Sequence, residues 1–181
     1  MANATTAQAA GAALSGVSLH VFETGHTFAV GPFAVTAFPV SHDAAEPVGF
    51  TIHAAGRRIT VATDLGSAGE SLDPFLASAD LVILESNYDL RLLSVSAYPW
   101  FLKNRILSPR GHLSNDDAAR ALARTAAGGG RLVCLVHLSE VNNLAALARD
   151  TALEAIALAG GRAGAVVAVA PNGSGRLIVL D

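Results

Sequence analysis

Four residues able to ligate metals or move protons stand at the ends of apolar, strand-like runs. His42 follows FAVTAFPV, Asp64 follows RITVAT, Glu85 closes LVILES and His137 follows RLVCLV. Open α/β sheets build their sites beyond the carboxyl ends of the strands, so the positions are suggestive. Taken singly, each has a structural reading: Asp64 can cap the loop into the next helix, Glu85 can be a solvated strand end, and a lone histidine is usually only that. Together, two histidines and an aspartate at three strand ends are the donor types that a borderline divalent metal takes. The stretch FPVSHDAAEPVGFTI raises the same question, because it sets His42, Asp43 and Glu46 between two apolar runs. A plain polar loop accounts for it, and so does a loop through which a β-rich scaffold presents reactive side chains.

The elements that must position these residues are legible as a change of pattern. Residues 4–14 are alanine-rich and suit a helix, followed by strands at LHVF (19–22), FAVTAFPV (33–40), VGFTIHA (48–54) and RITVAT (58–63), with AAGR as a hairpin turn. After residue 70 helices and strands alternate: a short helix in SLDPFLAS, a strand in ADLVILES, and helices near YDLRLLS and PWFLKNRIL. A helix over 115–127, the strand RLVCLVH, a helix over 142–159 and the strands AVVAV and GRLIVL complete the series. Ser114 is the expected N-cap of the 115–127 helix, and the glycines at 128–130 are its stop. The expected class is α/β, in one domain over 1–181 without an internal repeat.

Composition narrows the function classes. At 51% hydrophobic and 15% charged residues the 181-residue chain is a packed protein and not a disordered one. A formal net charge of −3 provides no overall footprint for nucleic acid or acidic membrane, although a total does not register a local basic patch. The single cysteine, Cys134, lies in the apolar run RLVCLV and reads as a buried thiol in a reducing compartment. The first basic residue is Arg57, which argues against an export signal, and no apolar run reaches the ~18 residues of a membrane span. A cytoplasmic protein with no membrane association is the expectation.

In chain order, SHDAAEPVGF, ATDLG, LVILESNYD, YPWFLKNRIL, GHLSNDDAA and LVHLSEVNN resemble the C-terminal part of the metallo-β-lactamase-fold hydrolases, most closely the bacterial YycJ/WalJ-like exonuclease branch. The likeness runs from about Phe22 to about Ala159, and six ordered motifs are more specific than any one. It implies a partial αββα sandwich, holding the second half and part of the first sheet. It also implies that His42, Asp64 and His137 are metal ligands, with Asp64 bridging two ions of zinc or manganese. His112 then serves as the acid toward the departing oxygen, with Asp64 part of the same catalytic machinery, and Glu85 supports a ligand imidazole from behind. Lys103, Arg105, Asn142 and Asn143 are candidates for contact with a nucleic-acid or small phosphodiester substrate. For the segment holding Lys103, Arg105 and Arg110 among Tyr98, Trp100 and Phe101, the alternative is an amphipathic helix with its aromatic residues in the core.

One departure stands out. The family signature His-x-His-x-Asp-His is absent, and no two of His20, His26, His42, His53, His112 and His137 are two residues apart. The chain therefore resembles an N-terminally truncated domain. Weak or partial metal binding, no activity of the chain alone, and an exposed apolar seam are expected, with self-association or a complementing N-terminal segment as partner. A noncatalytic binding or regulatory module and a nonproductive fragment are the competing readings.

Overall fold

The computed structural model describes residues 1–126, 131–162, 164–169 and 180. Its centre is a seven-stranded sheet formed by β3 (Thr27–Val30), β4 (Phe33–Pro39), β5 (Val48–Ala54), β6 (Arg57–Ala62), β7 (Leu81–Glu85), β8 (Leu132–Val136) and β9 (Ala165–Ala168), neighbours in that order. From β3 to β6 the strands run antiparallel as a meander, and from β6 to β9 they run parallel. The split follows from the connections. A hairpin joins β5 to β6 through Ala55 and Gly56, both with positive φ (49° and 76°), the geometry that matches the twist of paired strands. The parallel strands need crossovers, which the helices supply: α2 (Asp73–Ala77) between β6 and β7, then α3 (Leu90–Val95), α4 (Trp100–Leu107) and α5 (Asn115–Arg124) before β8, and α6 (Ala145–Leu158) before β9. At the amino end β1 (Ala2–Asn3) pairs with β2 (Val21–Phe22), and α1 (Ala4–Ala10) is capped by Asn3, whose Oδ1 accepts the Thr6 N–H at 2.9 Å.

Strand alternation decides which face is the core. Phe38, Ala62, Val82, Leu84, Val133 and Leu135 point to one face, where they pack with Leu76 of α2, Ala118, Ala121 and Leu122 of α5, and Ala148, Ala152 and Ile156 of α6. Gly49 is bare because the Phe38 ring crosses β5 there, stacked on Phe75 at 4.1 Å between centroids. The other face carries Phe50, Ile52, Ile59, Val61, Ile83 and Val136, all partly exposed. Val35, Ala37, Leu81 and Cys134 on the same face are buried. Phe22 covers one edge of it, stacking on Phe28 at 4.7 Å and meeting Phe50 edge-on at 6.0 Å. A second, smaller cluster of Tyr88, Leu93 and Ile106, with Tyr98 and Leu102, anchors α3 and α4 beside the main core.

Several boundaries differ from the sequence reading. Helix 4–14 breaks into α1 and a 3-10 turn at Gly11, which adopts φ 47°. Helix 142–159 begins only at Ala145, because Asn142 and Asn143 are drawn into buried contacts ahead of it. The strand β3 was not expected: TFAV is short and flanked by glycines, and its pairing with β4 is what makes it a strand. Ala127, the glycines at 128–130 and the strand expected in GRLIVL (but for Leu180) lie outside the described residues. Among the described residues no helix is long and apolar enough to cross a membrane. Cys134 is buried, and burial pushes its thiol up.

Candidate metal centre and active site

The ends of β4, β6, β7 and β8 converge. Asp64 and His137 each follow directly on a parallel strand or one residue later, and both adopt left-handed backbone (φ 54° and 58°). That conformation is sterically costly for a residue with a Cβ, though aspartate and histidine enter it more often than most. It turns both side chains back over the sheet end. Asp64 Oδ1 then lies 3.8 Å from His42 Nε2 and 3.8 Å from His137 Nδ1. His112 stands between the other two imidazoles, with ring centroids 5.3 Å from His42 and 5.2 Å from His137.

Glu85 organises this cluster from below. Its side chain is 0% exposed, and its Oε1 accepts from His112 Nδ1 at 2.7 Å and from His137 Nδ1 at 3.1 Å, while Oε2 accepts the Leu65 N–H at 2.8 Å. Burial pushes the carboxyl up, but the hydrogen bonds from both imidazoles and from Leu65 outweigh it and hold Glu85 below its ordinary range. An ionised carboxylate only accepts, so both histidines donate from Nδ1 and keep Nε2 for other work. His42 follows the same rule, since its Nδ1 lies 2.9 Å from the carbonyl oxygen of Gly111. All three imidazoles thus share one tautomer when neutral, with Nε2 unprotonated. The Glu85 hydrogen bond also raises His137 against the opposing effect of burial.

The donor set fits a divalent metal. His42, Asp64 and His112 offer ligand atoms within 4.8 Å of one another, and so do Glu85, His112 and His137. Imidazole Nε2 with a partly exposed carboxylate suits zinc or manganese, and outer carboxylate or carbonyl partners such as Glu85 and Gly111 are the usual means of orienting ligand histidines.

A model of the β-lactamase superfamily domain matches residues 2–138. The chain belongs to this superfamily. It is 38% identical over 129 residues to exodeoxyribonuclease YycJ of Bacillus anthracis, covering 71% of this chain and 49% of that one. It is 36% identical over 140 residues to exodeoxyribonuclease WalJ of Streptococcus pneumoniae, covering 77% and 52%. Among solved structures, the metallo-β-lactamase fold protein YhfI of Bacillus subtilis superposes with a TM-score of 0.60 at 21% identity, over 82% of this chain and 52% of that one. The chain thus spans about half the length of the curated relatives it matches.

Within this superfamily domain the other predicted residues divide. Arg105 lines a cavity of about 310 Å³ with Asn87, Tyr98, His112 and His137, and its Nε donates to Asp43 Oδ2 at 2.7 Å. Lys103 is close by on α4 but donates to the Ser94 carbonyl at 2.7 Å. Asn142 and Asn143 are 1% and 6% exposed. Asn143 binds Asn115 and the carbonyls of Ser86 and Asn87, so this pair faces the interior rather than the open cavity. Sequence reasoning missed Asn87, whose Nδ2 donates to the His137 carbonyl at 2.7 Å and steadies that strained residue. It also missed the glycines. A Cβ at Gly111 would overlap the carbonyls of Arg105 and Ile106, and one at Gly66 would strike the Pro109 carbonyl. Both glycines stand in motifs already singled out, ATDLG and GHLSN, but nothing in the sequence says what would occupy the space.

Proposed function

We propose that this cluster is part of a metal-dependent site that hydrolyses nucleic-acid phosphodiesters. The observation that supports it best is the grouping of three imidazoles, each with Nδ1 held by an acceptor, beside a partly exposed aspartate whose Oδ1 lies 3.8 Å from both His42 and His137. His42, Asp64 and His137 would hold the metal. A divalent pair bound there supplies Lewis-acid activation of water and of the scissile phosphate. The chain's own residues do the rest. Glu85 holds His112 through Nδ1, and His112 would serve as the acid toward the departing oxygen, a step worth ~10²–10⁴-fold. Arg105 stands in the same cavity, placed to meet a phosphate of the strand. Nucleic acid as the substrate is supported by the names of the relatives, both exodeoxyribonucleases.

Three protein ligands across two ions fall short of the three per ion usual for catalytic zinc, so these residues bind metal weakly and do not turn over substrate without further ligands. The same shortage favours the second reading, a noncatalytic module built on the fold. Zinc and manganese titration of residues 1–181 beside His137→Ala, followed by assay on a phosphodiester, tests both. Expected are weak metal binding lost in His137→Ala, no turnover by the chain alone, and metal-dependent turnover once the part of YycJ that the chain does not match is fused to it. A fused protein that binds metal and cleaves no phosphodiester overturns the reaction class. Turnover by the unassisted chain overturns the shortage.

A further inference from the structure

The α3–α4 unit carries surface chemistry that its packing does not use. Its inner side chains, Leu93, Tyr98, Leu102 and Ile106, fill the small core with Tyr88. Trp100 and Phe101, which the sequence allowed as core residues of an amphipathic helix, instead stand 72% and 75% exposed on the first turn of α4. Large adjacent aromatic rings left in water mark an interaction site more often than chance. Phe101 is four residues before Arg105, hence on the same helix face and one turn away. Arg105 and Tyr98 in turn line the cavity that holds His112 and His137. An aromatic track therefore leads from the surface of α4 to the imidazoles.

Charge is segregated onto the same unit. Residues 88–112 hold four cations, Arg91, Lys103, Arg105 and Arg110, against one acid, Asp89, for a formal +3 in a chain whose total is −3. Arg110 is fixed at the rim by its bond to the His42 carbonyl at 3.1 Å. A second copy of this chain is a poor occupant, because an isologous contact would bring two such cationic units together. Exposed aromatic faces interleaved with cations are the surface that binds single-stranded nucleic acid, with bases stacking on the rings and the backbone following the positive charge. A duplex buries its base faces in its own stack and does not offer them.

We propose that α4 is a stacking platform for single-stranded nucleic acid, with Trp100 and Phe101 taking successive bases and Arg105 with Lys103 meeting the backbone as the strand end enters the cavity. This rests on the reading of the cavity as a phosphodiester site, and it names the form in which that substrate arrives.

Trp100 is the only tryptophan of the chain and reports directly on the platform. The test titrates the metal-free chain, in chelator, with oligodeoxythymidine of about 12 nucleotides, a length within the usual site sizes. Expected is saturable quenching of Trp100 fluorescence that weakens with salt. In anisotropy with a labelled oligonucleotide, Phe101→Ala and Trp100→Ala should each bind roughly tenfold to a hundredfold more weakly. Trp100→Phe, which keeps a ring, should stay near wild type, and Arg105→Ala should lower the salt slope by about one. Leu158→Ser, at an exposed apolar position on α6, should bind normally. A duplex of the same length should compete poorly. Absence of saturable binding, affinity untouched by removal of either ring, or self-association that Trp100→Ala abolishes would each overturn the platform. Because binding is read without metal, its failure leaves the metal-site reading to its own test, and intact binding by a fused, metal-loaded protein that cleaves no phosphodiester breaks that reading alone.

Discussion

The three central parallel strands have charged or polar residues at both ends, and the two ends are built in opposite ways. Where β6, β7 and β8 begin, Asp80 accepts the Arg58 N–H at 2.7 Å and meets Arg57 at 3.4 Å, and Arg131 donates to the Leu76 carbonyl at 2.6 Å. Arg58 and Leu132 also exchange backbone bonds with Asp80 at 2.8–2.9 Å. Charge there is spent on closing the sheet, and the Arg58 N–H, with the two arginines, holds the Asp80 carboxyl below its ordinary range. Where the same strands finish, Asp64 and His137 take left-handed backbone, and one buried carboxylate accepts from Nδ1 of two imidazoles. Polar content alone does not separate a site from a cap. Several imidazoles gathered on shared carboxylates do, and they stand at one end only among the described residues.

The largest effect expected from that contrast is on the chemical step. In the fused, metal-loaded protein, His112→Ala should slow phosphodiester cleavage by ~10²–10⁴-fold with metal content nearly unchanged, as metal analysis beside kinetics would show. Similar loss from Asp80→Asn would erase the distinction between the ends. Next in size, Glu85→Gln keeps the shape but cannot accept from both imidazoles in the same way, and zinc affinity by chelator competition should fall ~10–100-fold. An unchanged affinity would reduce Glu85 to a core residue.

Smaller effects appear in stability and carry opposite signs at the two ends. Asp64→Gly relieves the backbone at φ 54° and should raise the urea-unfolding free energy of the metal-free chain by up to ~1 kcal/mol while weakening metal binding. A destabilised Asp64→Gly would mean that the aspartate serves the fold. Asp80→Asn should cost no more than ~1 kcal/mol, because its ion pair is partly exposed. The sign with pH follows from its lowered carboxyl: the Asp80 contribution is present above the ordinary value of about 3.8 and fades as pH falls through the lowered one. Melting curves of wild type and Asp80→Asn should therefore converge as acid is added.

The sequence by itself determined the element types and most of their order, because strand alternation, helix periodicity and caps are local. VGFTIHA is β5 to the residue, and Ser114 caps α5 by accepting the Asp117 N–H at 3.0 Å. It also marked His42, Asp64, Glu85, His112 and His137 by type and position, since strand ends and motif order are visible along a line. Only the tertiary structure decided which of these residues share a carboxylate, because Glu85, His112 and His137 are 27 and 52 residues apart from partner to partner and meet through the pairing of β7 with β8. It alone turned Asn142 and Asn143 inward and Trp100 and Phe101 outward. Helical spacing gives the relative orientation of side chains on α4, but which side meets the core depends on how the helix is seated by Tyr88, Tyr98 and Ile106, and that seating is a matter of long-range packing.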